Sequence, residues 1–292
     1  MSGTRRAYAE VRDEVARTRR VLAGRDVAAA AGTLTYFSGI AIVAWMLVGL
    51  WTTSWFIGAD AAEDRWLALR VLVPPQMGAR PAYDLLVGAG THVGLLGGIV
   101  LLFPASFYGE GVRRATLAIH PQEDPFTGWR ARIAMVLLAV ALPLLAWAYL
   151  LAGELMAPLS PDGGGGGLWS HLLRILVAFS TVWLTLAVAL TWVFRTVAPG
   201  RPRWAVCLVG GLATGSFLAG FLQGFTLFLS LPIDVGLPFA GLGVVGGVVA
   251  VGLWLYVLHI FLLIGWAATR ALDGRVDDHV ASRAAGRMGS AA

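Results

Sequence analysis

Glu110 stands three residues before Arg113 and four before Arg114, in the stretch FPASFYGEGVRR (103–114). On a helix both spacings place a carboxylate beside a guanidinium. At a membrane boundary such a group reads either as a solvated anchor or as a clamp for a charged headgroup or substrate. A second set of polar side chains is scattered through apolar sequence. Thr35 and Ser38 lie in AAAAGTLTYFSG (28–39), Ser216 and Gln223 in GGLATGSFLAGFLQGF (210–225), and His259 in GLWLYVLHIFLLIG (252–265). Polar groups in such surroundings are costly without partners. They either hydrogen-bond between helices or line a hydrated path. Thr35, Ser38, Ser216, Gln223 and His259 are therefore the candidate polar path, and Glu110, Arg113 and Arg114 its candidate cytoplasmic mouth. His259 reads as a buried ring with one backbone partner or, more sharply, as a proton relay.

Enzyme chemistry finds no constellation to start from. His92, His120, His171, His259 and His279 fall on different loops and spans, and Cys207 is the one cysteine. There is no HExxH, no GxSxG, no Walker phosphate loop and no CxxC. The paired carboxylates Asp277 and Asp278 lie in the tail. The expectation is a protein that is not an enzyme, with no catalytic, cofactor or metal residues and no cofactor. A nucleotide-driven pump would need its ATP site on another chain.

The elements that must position these residues are membrane helices. The chain of 292 residues is 58% hydrophobic and 13% charged, against about 25% charged in a soluble domain. Apolar runs cover roughly 28–51, 85–108, 133–152, 172–194, 205–231 and 241–268. Each is long enough to cross a hydrocarbon core of ~30 Å. Arginine orients them, since the 22 Lys and Arg residues are all Arg. All but Arg65, Arg70, Arg80 and Arg174 fall on the side that holds both termini, which the positive-inside rule makes cytoplasmic. This basic excess speaks for topology and against a nucleic-acid partner. Anionic headgroups at the cytoplasmic face are the expected contact; a homo-oligomer stays open. Trp51, Trp55, Trp129, Trp169, Trp192, Trp204 and Trp266 fall near span ends, as an interfacial belt would.

The expected organisation is all-α: a cytoplasmic amphipathic arm (1–27), a six-helix transmembrane domain (28–268) and a disordered cytoplasmic tail (269–292). Residues 60–73 read as a short interfacial helix stopped by Pro74-Pro75. PDGGGGG (161–167) reads as a flexible tip, and PIDVGLP (232–238) as a tight turn. Pro104 and Pro143 are expected kinks. Gly211/Gly215, Gly220/Gly224 and Gly243/Gly247 have the spacing that lets helix backbones approach. They suggest that spans one, five and six pack closely, with Phe217, Phe221, Phe225 and Phe228 free to face lipid.

Four pieces together resemble the YihY/BrkB family, also labelled virulence factor BrkB. They are RDVAAAAGTLTYFSGIAI (25–42), FPASFYGEGVRRA (103–115), APGRPRW (198–204) and GLWLYVLHIFLLIG (252–265). Their order and spacing are more specific than any one piece, and the resemblance covers about residues 20–272. It implies a bacterial inner-membrane protein of about six helices. Family members have been linked to serum resistance, and lipid or envelope-precursor transport has been proposed for them. The label ribonuclease BN, attached to many members, finds no metal or acid/base cluster here to support it. Many members follow span six with an acid in a GAEL-like motif; GWAAT (265–269) has none. No catalytic residue carries over. The leading expectation is a transporter or flippase for a lipid or envelope precursor. The alternative is a non-transporting membrane scaffold that binds a protein partner.

Overall fold

The computed structural model describes residues 3–73, 78–123, 128–141, 168–231 and 235–289. Every regular element among them is helical. Helix α1, Gly3–Leu22, is built largely from Ala, Arg and Glu, which are good helix formers. It ends where Gly24 turns left-handed at φ +70°, a conformation that costs glycine nothing. Asp26 then caps α2, Val27–Ile57, its carboxylate accepting the Ala29 N–H at 2.8 Å. Five helices among the described residues are long and apolar enough to cross a membrane. They are α2, α5 (Leu95–Ile119), α7 (Leu168–Trp192), α8 (Trp204–Ser230) and α9 (Gly243–Gly289). Helix α6, over 129–141, opens the third expected run. Its continuation to 152, the kink at Pro143, the stop at Pro74-Pro75, the tip at 161–167 and Pro232 to Asp234 of the last turn lie outside the described residues.

The expected run at 85–108 is corrected. It divides into α4, Arg80–Thr91, and α5, with a break at 92–94. Thr91 donates its hydroxyl to the Val87 carbonyl at 3.0 Å, and His92 Nδ1 lies 3.0 Å from the Gly88 carbonyl. Side chains that bond back to the turn before them compete with helix propagation. The expected helix after residue 60 is present as α3, Ala59–Ala68, followed by a 3₁₀ turn, Leu69–Leu72. Pro104 sits inside α5 without ending it. Helix α7 leaves the membrane through a π turn, Val193–Val197, in which the Thr196 hydroxyl donates to the Trp192 carbonyl at 2.6 Å.

Residues 269–289 continue α9 as helix. Charge ties its stretch up to 278 to the bundle: buried Asp273 accepts the Arg203 backbone N–H at 3.1 Å and faces Arg270 at 3.6 Å. Asp277 pairs with Arg203, Asp278 with Arg17 at 3.3 Å, and Arg275 with Glu14 at 3.9 Å. A charged segment that carries its own ion-pair partners has no need of an apolar stripe to stay ordered.

Helix α2 packs along α5 and α7 along α8, while α9 lies between the two pairs and touches α2 and α8. Spans one, five and six pack as expected, through α9, which touches both α2 and α8. Without water to drive association, close van der Waals fit holds such helices. Gly111 lets α5 approach Phe37, where a Cβ would come within 2.6 Å, and Gly98 does the same under Trp51. Gly211 and Gly215 face Thr191 and Ala187 of α7. Gly220 and Gly224 face open space. Phe221, Phe225 and Phe228 do not simply face lipid. All three rings meet Trp254 of α9, with centroids 4.3, 4.5 and 5.9 Å away, and only Phe217 is largely exposed. The tryptophan belt is likewise corrected in part. Trp51 and Trp266 are buried, and Trp192 spends its N–H on the Ala134 carbonyl; Trp55, Trp129 and Trp204 remain exposed.

Leu34, Val112, Ile119, Met135, Phe194 and Trp266 form one buried cluster drawn from α2, α5, α6, the π turn and α9, at the arginine-rich end. Toward the other end Val48, Leu50, Trp51 and Val87 are buried where α2 meets α4. Trp55 and Phe56 of α2 and Val244, Val248 and Leu253 of α9 are exposed there.

Candidate functional site

Helices α2, α5 and α9 bring Thr35, Tyr108 and His259 together. The Thr35 hydroxyl donates to the Ala31 carbonyl at 2.9 Å, which commits its one hydrogen. The His259 Nδ1–H then donates to Thr35 Oγ1 at 2.9 Å, and the bare Nε2 accepts the Tyr108 hydroxyl at 3.2 Å. This tautomer is assigned from the network. It leaves a neutral imidazole with both nitrogens satisfied, 1% exposed. The single backbone partner expected for His259 is replaced by two side chains from two other helices. Ser38 donates to the Thr35 carbonyl at 2.8 Å, and Trp45 fixes α2 to α5 through the Ala105 carbonyl at 2.8 Å.

This polar cluster forms the floor of a groove between α2 and α9. A cavity of about 190 Å³ is lined by Ser38, Trp45, Tyr108, Leu258 and His259. A second, of about 330 Å³, runs past Thr35, Gly39, Val248 and Gly252 to Val244 and Ala79. Both border Ile42 and Leu255. Their linings on α9 run from Val244 to His259, ~22 Å at 1.5 Å per residue, more than half of a hydrocarbon core. Its walls are apolar or small. Gly39 and Gly252 meet no atom within 4 Å of a built Cβ, so their missing side chains widen the groove and are not packing contacts. Tyr108, Gly39 and Gly252 were missed as site residues. The spacings that could have found them are Gly39 one turn after Thr35, and Gly252 two turns before His259.

The structure does not bring the whole polar path together. Ser216 is half-buried and Gln223 exposed, and both lie on α8, away from the groove. The mouth residues do meet. Glu110 Oε1 accepts Arg114 Nε at 2.6 Å and Arg113 at 3.3 Å. Glu110 is nevertheless 5% exposed, and its Oε2 abuts Gly128 at the start of α6 without a hydrogen-bond partner. The carboxylate is a buried link from α5 to α6, not a solvated one. Outside it, Arg114 lies over Phe37 at 5.6 Å and Arg132 over Phe107 at 4.6 Å, with the two rings stacked between them. Among the described residues no three His, Cys, Asp or Glu side chains group as metal ligands would.

An all-helical bundle with these pieces in this order can be compared with known families. The model of the virulence factor BrkB family matches residues 18–288. The chain belongs to the BrkB family. Neither curated proteins nor solved structures yield a match. The BrkB match takes in the groove, the Glu110 cluster and the helical extension of α9 up to Met288.

Proposed function

We propose that this BrkB-family chain moves an amphiphile, a lipid or an envelope precursor, within or across the bacterial cytoplasmic membrane. The groove between α2 and α9 is the lateral route for its apolar tail. The observation that carries this reading is the groove itself: adjoining apolar hollows between α2 and α9 on the flank of the bundle. We take the apolar run 133–152 as the third of six spans; both termini then share a side with most of the arginines, the cytoplasmic one by the positive-inside rule. On that assignment the Val244 end of the groove faces the outer leaflet, and a chain enters it from the outer half. No reaction is assigned to the protein.

The test uses purified protein in phosphatidylcholine vesicles doped with a headgroup-labelled fluorescent phospholipid, read by chemical quenching from outside. Gly39→Leu and Gly252→Leu fill the groove without touching a packing contact. Wild-type protein should expose inner-leaflet probe, and both variants should fall to the rate of empty vesicles while keeping the wild-type melting temperature. Equal rates in all three proteins would remove the groove from the account.

A second reading, a non-transporting scaffold, is favoured by one observation. Gly220 and Gly224 leave an open strip on α8 beside exposed Gln223. A partner helix seated there would bury that amide and use the close approach that glycine permits. Gly220→Leu should then abolish co-purification of the partner and leave lipid movement alone; loss of lipid movement instead would count against the scaffold.

A further inference from the structure

We infer that the arginine-rich end holds a binding site for a phosphate-type anion, in a crevice formed by the end of α5, the turn at 198–203 and α9. His120 follows the last residue of α5, and its ring meets Trp266 of α9 at 6.2 Å between centroids. Gly200 turns at φ +97°. A Cβ there would stand 2.7 Å from the Gln122 side chain and 3.2 Å from the Arg270 guanidinium carbon. The Gln122 amide and Arg270 thus converge on one point of the turn. Trp266 and Arg270 lie four residues apart, on one face of α9.

The crevice has more donors than acceptors. Gln122 Nε2, Trp266 Nε1 and Arg270 Nε are buried without a hydrogen-bond partner, and Trp266 is wholly buried. Unpaired buried donors are costly and uncommon. Among the described residues here, Asp273 is committed to Arg203 and Arg270, Asp26 beside Arg25 caps α2, and Glu123 after Gln122 is exposed. Arg25 adds charge from the start of α2: it and Arg270 act on His120, whose pKa burial first, then Arg270 and Arg25, hold below the usual histidine value. Arg25 and Gly200 are exposed, which gives an anion a way in. What fits is an acceptor with several lone pairs and at least one full negative charge, and phosphate matches guanidinium donors best. Basic crevices between membrane helices on the cytoplasmic side take phosphate headgroups for the same reason. The site lies at the opposite end from the groove and does not rest on lipid movement.

The experiment uses the full chain in a neutral detergent at constant ionic strength. Three additions are compared: inorganic phosphate, micelles doped with phosphatidic acid, and micelles doped with phosphatidylcholine. Melting temperature and the His120 titration, followed by NMR of the ring, are the readouts. Phosphate beside His120 should raise its pKa and raise the melting temperature, saturably. A response to phosphatidic acid alone identifies a lipid headgroup, and a response to inorganic phosphate as well identifies the anion itself; phosphatidylcholine should be much weaker. Arg25→Gln should lose both responses, and Arg19→Gln, an exposed change on α1, should keep them. No shift of His120 with either phosphate source, or equal loss in Arg19→Gln, would overturn the site.

Discussion

At the scale of single residues, the polar side chains inside the bundle are satisfied by one another more than by a path. The chain from Tyr108 through His259 and Thr35 to the Ala31 carbonyl leaves no ring nitrogen spare. Thr35→Val keeps the shape and removes the acceptor of the Nδ1–H, so it should cost about 1–3 kcal/mol in unfolding free energy. Tyr108→Phe should cost a similar amount, and the double variant less than the sum, since both act through one imidazole. Denaturation in mixed micelles measures all three, and additive losses would contradict the shared network. Glu110→Ala leaves Arg113 and half-exposed Arg114 to be solvated by water and should destabilise by about 1 kcal/mol. An unchanged melting temperature with a lost cellular phenotype would restore the mouth.

A pH dependence belongs to the same scale. The His120 pKa lies below 6.5 in the folded chain. Between the folded value and 6.5 the unfolded chain binds more protons, so stability is full above 6.5 and falls as pH drops below it. His120→Gln should flatten that acid limb in a melting-temperature series. Thr35, His259 and Glu110 were legible from sequence, because polar types in apolar runs stand out. Tyr108 was not, because an aromatic hydroxyl in such a run looks like core until a partner is placed beside it.

At the scale of elements, glycine does two jobs that its spacing does not distinguish. A Cβ on Gly98 would run into the Trp51 ring, whereas one on Gly252 meets nothing. Gly98→Ala should therefore destabilise by about 1–3 kcal/mol or more through overpacking, and Gly252→Ala should be near neutral. Thermal midpoints of the two variants settle this; a large loss in Gly252→Ala would mean the groove wall is packed. Helix existence was legible for every described span, since length and hydropathy decide it. The break at 92–94 was not, because it depends on Thr91 and His92 bonding backward within an apolar run. The extension of α9 past the apolar run was hidden for a related reason: Arg275, Asp277 and Asp278 pair with Glu14, Arg203 and Arg17, which lie far away in sequence.

At the scale of the whole molecule, the claim is a helical bundle open to lipid along the α2–α9 groove. That several long apolar helices exist was readable from hydropathy. The groove was not readable, because it depends on which glycines find a neighbour. The most direct test is photo-crosslinking with a phosphatidylcholine that carries a diazirine at the end of one acyl chain, in native-like membranes, with adducts mapped by mass spectrometry. The groove predicts adducts on Leu255, Leu258 and Tyr108, which are only partly exposed, and their loss in Gly252→Leu. Adducts confined to outward residues such as Leu184 and Val188, with none on the groove floor, would contradict it.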